Sequence, residues 1–467
     1  MIPVTTFSGK HVAVFGLGGS GVPTAKALVA GGASVVVWDD NEKRVSAARD
    51  VGLNAKNFRD INFATLDALV LAPGVPLTHP IPHWTVDLAQ AAGVEIIGDI
   101  ELFCRERSAH APRSPFIAIT GTNGKSTTTA LIAHILGKAN RGVELGGNIG
   151  TAILSLEPPQ SGRVHVVECS SYQIDLAPDL NPSVGVHLNV SPDHLDRHGT
   201  IENYASIKGQ LIAKAEAAVV GIDDRYSVEI ADAAETAAKE LTRISIRCPV
   251  TRGLMTRGSI LIETVDGSER DLFDLTLAPN LRGAHNAQNA AAAFAACRYV
   301  GLTDDEITAG LITFPGLVHR METIGQKGRV RFVNDTKATN ADAAERALLS
   351  FDHIYWIAGG LPKSGGIAGL ADHFPRIAKA YLIGEARDDF AATLNGHVPT
   401  QLFDSLREAT EAASLDAAQD GAVDSTVLLS PACASFDQFP NFEERGEAFR
   451  SAVLDILSKD KNIGVSS

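Results

Sequence analysis

The sequence predicts an α/β fold in three domains, and three observations predict it. Short apolar runs alternate with helix-like stretches along the whole chain. Glycine-rich turns join several runs to the helix that follows, and most runs end in small or polar residues. Strands of open parallel sheets end in this way at the edge where ligands bind. With 467 residues, 45% apolar and 21% charged, the chain is long enough for each block to bury its own core.

The first block opens with the run His11–Phe15, followed by Gly16-x-Gly18-x-x-Gly21 and the helix-like ALVAGG. A second run, Val35–Trp38, ends on Asp39, and a third, Ala68–Ala72, ends on Pro73-Gly74. Glycines so spaced between a strand and a helix, with an acidic residue about twenty positions on, form the dinucleotide fingerprint. The same geometry serves any nucleotide diphosphate, so it does not by itself specify NAD. A polar stretch with two prolines, RERSAHAPRSP at 105–115, reads as a linker.

The second block starts with FIAIT at Phe116 and runs into Ile119-Thr120-Gly121-Thr122-Asn123-Gly124-Lys125-Ser126 and a long helix-like segment. Such a loop aims backbone N–H groups at phosphate oxygens while the helix dipole adds a favourable field. Lys125 would reach the outer phosphates, and the Ser126 hydroxyl would ligate Mg²⁺. Ile119 stands where the standard pattern has its first glycine, which points to a variant loop rather than a motor or GTPase type. The run VHVVE then delivers Glu168 to a strand end, well placed to hold Mg²⁺ beside a phosphate loop. After the strand-like VGVHLNV (184–190), Asp193-His194-Leu195-Asp196-Arg197-His198 is either a polar site or a solvent-facing loop. An alanine-rich helical segment at 285–300 closes the block.

TFPGLVHRME, near 313–322, marks the next boundary. Beyond it RVRFVND, IYWIAGG, AYLIGEA and TVLLSPA are candidate buried strands. Three loops follow such runs: Asn334–Asn340 with Lys337 and Thr339, Gly359–Lys363, and Ser430–Asp437 with Ser435. Lysines and hydroxyls at successive strand ends suit a small dianionic substrate. Each loop alone could equally be a capped helix start, since Asp335 and Ser435 are good N-cap residues.

Composition bounds the partners. A formal charge of −14 argues against a nucleic-acid footprint. No stretch of about 18 apolar residues suggests a membrane span. The N-terminus lacks a signal-peptide layout. The five cysteines are scattered without C-x-x-C spacing, so a disulfide framework or zinc site is not expected and a reducing cytoplasm is. Cys169 and Cys433, inside motif-rich stretches, read as small packing residues rather than nucleophiles. A monomer is expected.

Taken together, TGTNGKST (120–127), GGNIG (146–150), ECSSYQ (168–173), DHLDRHG (193–199), HNAQN (285–289), HRME (319–322) and the three third-block loops resemble the Mur ligases of peptidoglycan synthesis. NDTKATN (334–340) and SPACASFDQFPNFEERG (430–446) resemble in particular the members that add D-glutamate. The resemblance spans nearly the whole chain. It implies a Rossmann-like UDP-binding domain at 1–110, a central P-loop ATPase domain at 111–315 and a Rossmann-like C-terminal domain receiving D-glutamate at 316–467. The implied reaction activates the carboxylate of UDP-N-acetylmuramoyl-L-alanine as an acyl phosphate with ATP and two Mg²⁺ sites, then couples it to the amine of D-glutamate. Implied ATP contacts are Gly121, Thr122, Asn123, Gly124, Lys125, Ser126, Thr127, Asn286, Arg320 and Asp335. Glu168 and His194 match ligands of the second Mg²⁺, joined by Lys208, which matches a lysine that this family carbamylates. Asn148 and Ser170 match contacts to the sugar-peptide. Lys337, Thr339, Lys363, Ser435 and Phe442 match the D-glutamate site. Gly18, Gly19, Ser20, Asp39 and Gly74 fall at the uridine nucleotide's place, where Asp40-Asn41 replaces a hydroxyl-plus-base pair of some members and Ala72 replaces a serine.

Because the ATP and amino-acid sites fall on different domains, closure of the C-terminal domain is also expected. Three other readings stand beside this one: a sister ligase adding another amino acid, an NAD-dependent oxidoreductase built on the first fingerprint, and a non-catalytic nucleotide-binding regulator.

Overall fold

The computed structural model describes residues 1–362, 365–420 and 424–459. Apolar runs become three sheets. The first comprises β1 (His11–Phe15), β2 (Ser34–Trp38), β3 (Ala68–Leu71) and β4 (Glu95–Ile97), in the order β2-β1-β3-β4. All its pairings are parallel, and β3 is buried throughout. Two-sided burial explains why such strands read as unbroken apolar runs rather than alternations.

The second sheet runs β5 (Phe116–Thr120), β6 (Gly142–Gly147), β7 (Arg163–Glu168), β8 (Val184–His187), β9 (Ala217–Gly221), β10 (Glu240–Ser245), β11 (Gly253–Arg257), β12 (Ile260–Val265) and β13 (Ser268–Asp274). Its order is β13-β12-β11-β10-β9-β8-β5-β7-β6. Strand β5 lies between β7 and β8, so the chain leaves it first to one side and later to the other. Such a reversal opens a crevice at the strand ends. Strands β11–β13 form an antiparallel edge.

In the third sheet, β14 (Glu322–Lys327) and β15 (Val330–Asn334) form a hairpin, followed by β16 (Ile354–Gly359), β17 (Ile377–Ile383), β18 (Thr400–Leu402) and β19 (Ser425–Leu429). Their order is β14-β15-β19-β16-β17-β18, parallel from β15 onward. The chain packs into two units: Met1–Pro279 with Ala284–Phe314, and Asn280–Gly283 with the chain from Pro315. The first and second sheets belong to the first unit and share apolar core, from Ile2 and Val12 to Phe116 and Leu211.

Two readings of the sequence need correction. The stretch 105–115 is not simply a linker, because residues through His110 complete the helix Asp99–His110. Arg107, 3% exposed, holds that helix end by donating to Ser114 O, Asn181 O and Ser183 Oγ at 2.8, 3.1 and 2.9 Å. The strand expected over 184–190 ends at His187. Its last residues leave the sheet because Asn189 turns to hold the phosphate-type loop.

Gly21 opens the helix Gly21–Ala30 directly against Gly16, and a Cβ at Gly21 would collide with the Gly16 carbonyl. The third glycine of the fingerprint is therefore fixed by helix–strand packing. We expect Gly21→Ala to cost about 2–4 kcal/mol. A thermal melt should show the first unit's transition lowered by about 5 °C or more, and an unchanged transition would contradict this packing.

Candidate active site

The loop between β5 and the helix Lys125–Lys138 is held from below by amides. Asn189 O accepts the Thr122 N–H at 2.8 Å and Asn189 Oδ1 accepts the Asn123 N–H at 2.9 Å. The Asn189 amide in turn donates to Gln288 Oε1 at 2.8 Å. Gly124, at φ +85°, presses against Asn289, whose Oδ1 accepts from Thr128 and whose Nδ2 donates to Asn286. Only glycine fits there, because a Cβ would strike the Asn289 amide and the backbone is left-handed. The helix Ala284–Tyr299 thus braces the loop, a role for Asn189 and Asn289 that single residues in the sequence do not announce. Ser126 and Thr127 are half-buried in the first helical turn, where unpaired N–H groups face an incoming anion.

Two lysine amines meet on one carbonyl. Lys125 Nζ donates to Gly121 O at 3.0 Å and to Thr122 O at 2.9 Å. Lys208 Nζ, from the helix Ile201–Lys214, donates to the same Gly121 O at 2.9 Å and lies 4.5 Å from the centre of the Tyr204 ring. Lys208 is only 1% exposed. Burial, and then repulsion from Lys125, hold its amine well below the ordinary lysine range, with Asp193 and Glu168 opposing the shift.

Glu168 ends β7 at 2% exposure. Its Oε1 accepts from Asn148 Nδ2 at 2.9 Å, whereas its buried Oε2 has no hydrogen-bond partner. A buried carboxylate oxygen left so is costly unless something binds it. Asn148 is thus drawn to Glu168. Ser170 is drawn into a capping box with Gln173 that starts the helix Ser171–Asp175. His194 takes a left-handed conformation, φ +52°, with its side chain half exposed and its ring 5.4 Å from that of Tyr172. Among the described residues, no three His, Cys, Asp or Glu side chains are grouped as a metal cage. Burial pushes the Cys169 thiol well up, so it stays protonated and is no nucleophile.

Asp39, at the end of β2, shapes the first glycine loop. Its Oδ2 accepts the Leu17 N–H at 2.6 Å and its Oδ1 the Asn41 N–H at 2.8 Å. Gly18 and Gly19 have open space where a Cβ would lie, as does Gly74. Ser20 precedes the helix without capping it by its side chain. Arg197 reaches across from the second sheet to the Gly74 and Val75 carbonyls at 3.0 and 3.1 Å, over the Tyr172 ring. Beside these contacts a cleft opens between Val75, Tyr172, Asp175 and His198.

In the second unit, Arg320 sits between His319 and Met321, both at positive φ (65° and 49°). Met321 N–H donates to Asp335 Oδ1 and Ser430 Oγ to Asp335 Oδ2, at 3.2 and 2.8 Å. Lys337 Nζ lies 5.8 Å from the Phe442 ring centre, Thr339 N–H bonds Lys337 O, and Ser435 is buried on the next loop. Lys363 lies outside the described residues.

A phosphate-cradling loop, a buried lysine beside it and an unpaired strand-end carboxylate define a nucleotide-dependent α/β enzyme. The matching family models are Mur ligase MurD-like, N-terminal domain (10–98), Mur ligase middle domain (119–297) and Mur ligase, glutamate ligase domain (319–433). The chain belongs to the Mur ligase family. It is 60% identical to a UDP-N-acetylmuramoylalanine–D-glutamate ligase of Rhizobium etli, over 97% of this chain and 96% of that one. To the enzyme of the same name from Brucella abortus it is 59% identical, over 97% of each. In fold it is similar to the UDP-N-acetylmuramate–alanine ligase of Thermotoga maritima (TM-score 0.59, 17% identity, covering 96% and 99% of the two chains). It is also similar in fold to a Mycobacterium tuberculosis folylpolyglutamate synthase (TM-score 0.54, 16% identity, covering 75% and 94%).

Burial raises the Asp335 carboxyl from the ordinary 3.8 to about 6, against the pull of Ser430 and Arg320. The folded chain therefore keeps a proton that the unfolded chain loses. That contribution is complete below pH 3.8 and is lost as pH rises through about 6. Between pH 4 and pH 7.5 it amounts to at most about 3 kcal/mol. Denaturant unfolding at both pH values should show Asp335→Asn flattening this loss relative to the parent; an identical pH dependence in the two would refute the assignment.

Proposed function

We infer that this chain is an ATP-dependent ligase that joins D-glutamate by an amide bond to UDP-N-acetylmuramoylalanine, a step of cytoplasmic peptidoglycan precursor synthesis. The full-length kinship to ligases of that name supports the substrates. The single structural observation that supports the chemistry is the pair of lysine amines on Gly121 O beside the unpaired Glu168 Oε2.

The residues divide the work as follows. Gly121 to Thr127 cradle the ATP phosphates with backbone N–H groups, and Lys125 swings from its loop carbonyls to the outer phosphate as charge develops there. The alanyl carboxylate attacks the γ-phosphorus and ADP leaves, giving an acyl phosphate. The amine of D-glutamate then attacks the acyl carbon, phosphate leaves and the amine's protons pass to solvent or base. Alignment and electrostatics supply the acceleration, and no protein nucleophile is used.

Mg²⁺ fits the donor set at this edge: the Ser126 hydroxyl, the free oxygen of Glu168, and His194. Lys208 fits as well, because burial holds its amine below the ordinary lysine range and the unprotonated form adds to CO₂, forming an N–C bond and releasing one proton, to give a carbamate. That replaces an amine by an anionic oxygen ligand. Bound there, Mg²⁺ supplies countercharge to the phosphates.

Asn286, Arg320 and Asp335 hold the adenine nucleotide. Lys337, Thr339, Lys363, Ser435 and Phe442 receive D-glutamate, with the lysines toward its carboxylates. Gly18, Gly19, Ser20, Asp39 and Gly74 take the uridine nucleotide, and Asn148 and Ser170 the sugar-peptide. The corresponding domains are 1–110, 111–315 and 316–467, in a monomer. No helix among the described residues is long and apolar enough to cross a membrane.

Phosphate release from ATP with UDP-N-acetylmuramoyl-L-alanine, scanned over amino acids, tests the reading. Release should depend on D-glutamate; dependence on another amino acid would identify a sister ligase, and none at all would sink the proposal. Lys208→Ala should lose at least about 100-fold in kcat, with no recovery in high bicarbonate. Near-normal turnover in that variant would rule out the carbamate.

A further inference from the structure

Arg445 lies one turn into the helix Phe442–Lys459, only 1% exposed. Its guanidinium binds two separate loops. Nε donates to Thr336 Oγ1 at 2.9 Å and Nη2 to Thr336 O at 3.0 Å, in the loop after β15. Nη2 also donates to Cys433 O at 3.0 Å, and Nη1 to Ala434 O at 3.2 Å, in the loop after β19. The loop after β16 joins them. Leu361 and Ala434 exchange backbone hydrogen bonds at 2.9 and 3.2 Å, and a Cβ on Gly360 would lie 3.0 Å from Arg445 Nη1. The Thr336 hydroxyl also donates to Phe442 O at 3.1 Å, closing the ring onto the helix's first residue.

Every acceptor of Arg445 is neutral, and among the described residues no carboxylate forms an ion pair with it. A buried, unpaired cation is an expensive way to fill a core, since a packed apolar side chain of similar volume costs less. What the guanidinium gives is geometry: a planar fork fixes several carbonyls at set angles, which an ammonium or an alkyl chain does not. The loops it fixes carry Lys337, Thr339 and Ser435, and Phe442 stands on its own helix. It also places a positive charge beneath them, with Asp437 the carboxylate that acts on it, favourable for a ligand with two carboxylates.

We propose that Arg445 is a positioning residue of the amino-acid site: it locks the loops after β15, β16 and β19 into one arrangement that faces a dicarboxylate. This rests on the reading that D-glutamate binds at these loops.

Arg445→Lys keeps the charge and removes the fork. It should raise KM for D-glutamate about ten-fold or more while changing KM for ATP by less than about two-fold. Acyl-phosphate formation without amino acid, read as ADP release in a single turnover, should be unchanged. Thr336→Val removes one acceptor and keeps the arginine; it should move the same KM in the same direction by about three-fold, and it decides the matter if Arg445→Lys fails to fold. An unchanged KM for D-glutamate in a folded variant, or equal loss in the single-turnover step, overturns the proposal while leaving the ligase reading intact. Parent protein without D-glutamate-dependent turnover overturns both.

Discussion

Parallel pairing is the constraint on which the rest depends. A strand and its parallel neighbour need a crossover between them, so every strand end on one edge of the sheet opens into a loop that is free to vary. Thr120, Glu168 and His187 end adjacent strands of the second sheet, and the phosphate-type loop, the Ser170–Gln173 cap and the Asn189 turn all spring from that edge. In the third sheet the ends of β15, β19 and β16 do the same for Lys337, Ser435 and Gly360. Antiparallel pairing is confined to the edges, in β11–β13 and β14–β15. The candidate chemistry is therefore gathered by topology before any side chain is chosen.

Polar side chains then fix what topology gathers. Asn189 spends its amide on the loop backbone, Asn289 braces the loop through Thr128 and Asn286, and Asp39 divides its oxygens between the first glycine loop and Asn41. Arg107 and Arg445 illustrate one solution used twice. Arg107 ties the chain where it enters β5 and β8, whereas Arg445 ties it where it leaves β15 and β19. Entry edges carry stability and exit edges carry chemistry, so similar guanidinium contacts serve different ends. Glu168 Oε2, left without a partner, and the buried Lys208 stand at the exit edge, where a substrate or cation can offset the desolvation cost.

Much of this was legible in the chain. Buried parallel strands are continuous apolar runs, so β1, β3, β5, β15, β16 and β19 are visible in the sequence within a residue or two. Glycines at 16, 21, 121 and 124 mark turns that only glycine tolerates or packs. The antiparallel edge β11–β13 was not foreseen, because its residues mix buried, half-buried and exposed positions without a strict alternation. Nor was the helix end at 105–110, where two prolines nearby suggested a break and a buried arginine prevents one.

The sequence by itself determined the α/β class, the family and the loop that receives phosphate, because these are local: spacing, turn chemistry and apolar periodicity lie within a few residues. Only the tertiary structure decided that Lys208 is a buried amine held below its ordinary range, that Glu168 keeps one oxygen unpaired and that Arg445 underlies three loops. Burial and partnership depend on residues far apart in the chain, Lys208 meeting Gly121 across 87 positions and Arg445 meeting Thr336 across 109. A lysine or an arginine on a helix carries no local sign of what will surround it.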